Sequence, residues 1–86
     1  FAASHEDHVE VVRMLLEQGA DIDKARNGGA TPLLTASRKG HVEVVRVLVE
    51  QGADIIKAGD DGFTPLLVAS QEGHEQVVSI LIENGA

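Results

Sequence analysis

The 86-residue sequence has no cysteine and only two aromatic residues, Phe1 and Phe63. Without cysteine it can form neither a disulfide framework nor a cysteine-type zinc site, which is compatible with a reducing compartment such as the cytoplasm. No apolar run approaches the roughly 20 residues that span a bilayer, so no membrane contact is expected. The apolar residues are mostly Val, Leu, Ile and Ala, which suit thin layers of small helices.

Basic residues are also scarce: 7 Lys and Arg stand against 14 Asp and Glu, for a net charge of −7. A field of this sign repels nucleic acid, because phosphate binding needs clustered Lys and Arg. The imbalance is uneven, with three bases against six acids in residues 1–30, four against three in 31–57, and none against five in 58–86. The sequence therefore predicts a local positive band between acidic flanks.

What the sequence does contain is an internal repeat with a constant period, which equals the separation of Thr31 from Thr64. The tetrapeptide TPLL at 31–34 returns at 64–67, and GADI at 19–22 returns at 52–55 with the same shift. Aligning residues 1–30 with 34–63 gives 18 identities. A fixed period of this size indicates a stacked repeat rather than a globule with a single closed core.

Each copy reads as two helices and a turn. Thr31 suits the N-cap of a first helix and Pro32 its first position, where the missing N–H does no harm. This helix is expected to end near Lys39, because Gly40 can adopt the left-handed conformation. Aliphatic residues at helical spacing predict a second helix over about 42–51.

The segment that follows the second helix is predicted to be extended, with tight turns. Asp61-Gly62 and Gly28-Gly29 are the turn signals in the two copies. The complete pattern, T-P-L-L-x-A-S-x-x-G-H-x-E-V-V-x-x-L-x-E-x-G-A-D-I, resembles the ankyrin repeat over the whole chain. It is also similar to consensus-based repeats used as engineered binding scaffolds, and natural and engineered origins both fit it.

The resemblance implies an all-α solenoid of helix-turn-helix units with projecting β-turn fingers. It also implies recognition of a partner protein through the fingers and the concave face of the first helices. We expect one array over 1–86, with a partial repeat at 1–30, a full repeat at 31–63 and a partial repeat at 64–86. Because the pattern begins and ends inside a repeat, we expect an interior slice of a longer array.

The sequence departs from the family pattern at several positions, including Asp23 and Ile56, where the family often has Asn. The family usually has His after T-P-L, whereas this chain has Leu34 and Leu67, which should add apolar contact to the turn. Asp7 stands where the other copies have the helix-ending Gly40. Asp tolerates the left-handed conformation better than most residues, but less well than Gly.

Two arrangements could suggest chemistry. Ser37 and His41 lie four residues apart, like a nucleophile and its base, but the pair recurs in every copy and no third group orients the His. His5 and His8 have a spacing that metal ligands can use on a helix, yet His8 is matched by the repeated His of the other copies. We interpret all of them as parts of the repeat, and predict no catalytic residue, metal or cofactor.

The copies differ mainly at the end of the first helix and in the turn finger, whereas the second helix hardly changes. Stacking requires the second helix to stay constant, so the variable positions are free to recognise a partner protein. Neutral drift of exposed loops is the alternative. The predicted binding residues are Arg38, Lys39 and Phe63, supported by Asn27, Ala30, Asp60, Asp61, Gln71 and Glu72.

Two functions follow from these observations. The first is a protein-protein interaction module that uses the variable surface. The second is a structural scaffold or spacer with no ligand of its own, which stacks end to end with other copies. In either case an isolated piece should be weakly stable or self-associate, because about three repeats are the usual minimum.

Overall fold

A computed structural model of the chain describes Met14 and residues 21–86, apart from the side chain of Asn27. A short 3₁₀ turn at Asn27–Gly29 precedes four helices: α1 (Pro32–Lys39), α2 (Val42–Glu50), α3 (Pro65–Gln71) and α4 (Glu75–Glu83). The described part of the chain contains no strand. The expected all-α repeat solenoid is therefore confirmed.

The first helix of each repeat begins as the sequence predicts. The Thr31 hydroxyl accepts a hydrogen bond from the Leu34 N–H at 3.2 Å, and Thr64 accepts one from Leu67 at the same distance. Each bond satisfies one of the backbone donors that a helix leaves free at its start. Gly40 then ends α1 with a φ of 73°, in the left-handed region that favours glycine.

The helices pack in two layers. Helix α1 contacts α2 within its own repeat and α3 in the next, and α2 contacts α4. Each helix therefore lies beside its counterpart one period later, which explains why the period is constant. One cluster of buried aliphatic side chains joins both repeats: Leu33, Ala36, Val44, Val45, Leu48, Ala53, Ala69, Val77, Ile80 and Leu81.

His74 of the second repeat contacts the end of the first helix of the preceding repeat. The Nε2 atom of His74 lies 2.9 Å from the Arg38 carbonyl oxygen, which belongs to the last turn of α1. Its ring lies so close to Gly40 that a Cβ atom there would come within 2.7 Å of the ring. Glycine is needed at position 40 both for its backbone conformation and for the space that the ring occupies.

We expect Gly40→Ala to destabilise the protein more than the matched change Gly73→Ala. Both glycines have φ near 75°, where alanine is strained by about 1–2 kcal/mol, but a Cβ at Gly73 meets nothing within 4 Å. Only Gly40→Ala must also displace the His74 ring, for a total loss of roughly 2–4 kcal/mol. Urea denaturation of both variants measures the difference, and equal losses would show that the His74 contact contributes nothing.

Candidate protein-binding surface

Each finger is a tight backbone turn closed by hydrogen bonds. In the first finger the Arg26 N–H donates to the Ala30 carbonyl at 2.9 Å, and in the second the Gly59 N–H donates to the Phe63 carbonyl at 3.0 Å. The carboxylate of Asp61 accepts from the Phe63 N–H at 3.0 Å, which fixes the backbone that carries the aromatic ring. The turns expected at Gly28-Gly29 and Asp61-Gly62 are confirmed.

The two fingers are joined side by side. The Asp60 N–H donates to the Gly28 carbonyl at 2.8 Å, and the Asp54 N–H donates to the Asp23 carboxylate at 2.9 Å. Lys57 adds a long contact of 3.5 Å from its ammonium to the Asp23 carbonyl. These bonds make the fingers one row rather than two independent loops, so side chains on the row keep a fixed spacing.

A groove of about 290 Å³ lies between this row and α1. It brings together three of the predicted binding residues, Ala30, Arg38 and Asp61. Its remaining lining is Gly28, Leu34 and Thr35. Sequence reasoning missed the last two, although their spacing from Arg38 by four and three residues puts all three on one helix face.

The other predicted residues lie outside the lining of this groove. Lys39 is exposed at the end of α1, and Gln71 and Glu72 are exposed at the end of α3 and just beyond it. Asp60 is exposed on the second finger, where its backbone joins the two fingers. Phe63 is 36% exposed and occupies the position that Ala30 has in the preceding finger. The side chain of Asn27 lies outside the described residues.

Ser37 and His41 are not joined by a hydrogen bond through the serine hydroxyl. The Ser37 hydroxyl is buried and has no hydrogen-bond partner among the described residues. No group of three or more His, Cys, Asp or Glu side chains among Met14 and residues 21–86 could hold a metal ion. His5 and His8 lie outside the described residues.

The described helices are also too short and polar for a membrane span: none of them could cross a bilayer.

Paired helices stacked at a fixed period, with turns projecting from one edge, define a helical repeat solenoid. A family model described as "Ankyrin repeats (3 copies)" matches residues 1–86, and the chain belongs to that family. Ankyrin repeats are generally protein-protein interaction modules, and the family is not one of enzymes. No curated protein matched the chain.

Proposed function

We propose that the chain is a protein-binding module, without enzymatic activity, that binds a partner protein through the fingers and through the groove between the fingers and α1. The observation that carries this proposal is the variation of the groove between copies. Arg38 is replaced by Gln71 one period later, and Ala30 by Phe63. The buried stacking residues of the second helix do not vary in the same way, since Val44 and Leu48 are matched by Val77 and Leu81.

Two of the variable side chains, Arg38 and Phe63, form none of the hydrogen bonds or ion pairs that hold the described residues together. Among the described residues the Arg38 side chain has no hydrogen-bond or ion-pair partner, although its backbone carbonyl receives His74. Phe63 carries a partly exposed ring on a turn that other groups hold in place. A rigid aromatic on a fixed turn suits an interface anchor, because it offers a large contact area with little loss of side-chain entropy.

We expect Phe63→Ala to weaken partner binding by about 1–3 kcal/mol and leave the melting temperature nearly unchanged. Ile82→Ala is the matched control, since Ile82 is an exposed apolar residue on α4, away from the fingers. A partner captured by the immobilised protein is titrated against the wild-type chain and both variants, with thermal melts alongside. Equal losses of binding and melting temperature for Phe63→Ala would make the ring structural, and unchanged binding would exclude this surface.

A second candidate, end-to-end stacking with another copy, is supported by the outer face of the last repeat. Leu67 is 51% exposed, whereas Leu34, its counterpart one period earlier, is 2% exposed. Ser70 is exposed and Ser37 is buried. The apolar contact expected from the leucine after T-P-L is therefore present at Leu34 and largely absent at Leu67. The corresponding face of the preceding repeat contacts the next repeat inside the chain, so this face is suited to contact with a second copy.

We expect the wild-type chain to self-associate in sedimentation velocity as its concentration rises, and Leu67→Glu to weaken that association at least about tenfold. A buried carboxylate would replace an apolar contact at the new interface. Gln76→Glu adds the same charge at a position whose counterpart, Glu43, stays exposed in the stacked repeat. Equal effects of both substitutions would indicate a general charge effect, and a wild-type monomer at millimolar concentration would exclude stacking.

A further inference from the structure

The guanidinium donors of Arg38, in the lining of the groove, have no acceptor among the described residues. Arg38 presents a guanidinium with five donors at its edge, and no described carboxylate lies within ion-pair distance. The only ion pair among the described residues joins Arg46 and Glu43 on the second helix, at 3.7 Å. The backbone of Arg38 is held in place, because its carbonyl oxygen is hydrogen-bonded to the Nε2 atom of the His74 ring at 2.9 Å.

The anion in the lining of the groove has a structural role. One carboxylate oxygen of Asp61 accepts the Phe63 N–H at 3.0 Å and thereby builds the second finger. The lining also includes two aliphatic residues, the half-buried Ala30 and Leu34, which is only 2% exposed. The site therefore combines a cation that has no partner among the described residues, an aliphatic part of the lining and an anion with a structural bond.

We infer that the groove binds an extended segment of the partner protein that carries an acidic side chain next to an aliphatic one. The carboxylate pairs with the two-pronged donor edge of Arg38, the bidentate geometry that guanidinium groups favour. The aliphatic side chain covers the half-buried Ala30. This inference rests on the proposed function, and adds to it the chemistry of the bound segment.

Charge patterning along the surface supports an acidic segment at this repeat. Arg38 and Lys39 form an adjacent basic pair, whereas one period later the same positions hold Gln71 and Glu72. The Debye length is about 8 Å at physiological salt, so the nearest charges outweigh the overall charge of −7 for a short peptide. An acidic segment is thus attracted to the repeat with Arg38 and disfavoured beside the next one, which sets its register.

The test uses three blocked hexapeptides that alternate Glu with Leu, Lys with Leu, and Glu with Ser. Each is titrated into the ¹⁵N-labelled chain and followed by amide chemical shifts. We expect the Glu-Leu peptide to shift the amides of Ala30, Leu34 and Arg38 saturably, and to bind at least about fivefold more tightly than the other two. Lys-Leu binding as tight as Glu-Leu binding would overturn the acidic assignment, and Glu-Ser binding as tight would overturn the aliphatic one.

Two arginine variants then locate the contact. Arg38→Gln should weaken the Glu-Leu peptide about tenfold, as expected for the loss of a charge-assisted hydrogen-bonded pair. Arg46→Gln removes the same charge from an exposed position on the second helix of the same repeat and should change affinity less than about twofold. Equal losses would mean that net charge, not the groove, attracts the peptide, and would overturn the inference.

Failure of this inference is distinguishable from failure of the proposed function. If the captured partner depends on Phe63 while none of the peptides binds saturably, the fingers bind a protein as proposed, and the inference about the ligand chemistry of the groove is overturned. If neither the partner nor the peptides depend on these residues, both proposals fail.

Discussion

Close contact between each helix and its counterpart one period later is the interaction on which the rest of the structure depends. The contact is tight enough that the His74 ring occupies the space where any side chain at position 40 would begin. It also explains the composition, because Ala36 and Ala69 in the shared core let neighbouring helices approach. In a stack of this kind, each repeat is stabilised chiefly by its neighbours rather than by a closed core of its own.

The same constraint separates residues that hold the stack from residues that can recognise a partner. Buried positions on the second helix must fit the next copy, so Val44 and Val77 are identical one period apart. Exposed side chains on the turn and at the end of the first helix lie outside the buried core and can change, as Arg38 and Gln71 do. Leu34 belongs to both sets, because it is buried by stacking and also lines the groove.

Local features of the fold could be predicted from the sequence because local chemistry determines them. The Thr31 cap and the left-handed Gly40 depend on a few neighbouring residues, and both appear as expected. The burial of an individual residue could not be predicted from the motif, because it depends on whether a neighbouring repeat covers the residue. Leu34 and Leu67 share the motif TPLL but differ in exposure. The residues that line the groove were predicted only in part. Variation between copies indicates Arg38, but it gives no signal for Leu34, which is matched by Leu67 one period later.

The central claim, that stacking contacts at a fixed period stabilise the protein, can be tested by lengthening the stack. A second copy of residues 31–63 is inserted between Phe63 and Thr64, and urea unfolding is compared with the original chain. A Gly/Ser linker of the same length as that copy, inserted at the same site, is the control for chain length. The stacked account predicts one unfolding transition with a higher midpoint and a larger dependence on urea, because another interface is buried. A midpoint that stays constant or falls, as for the linker, would contradict it.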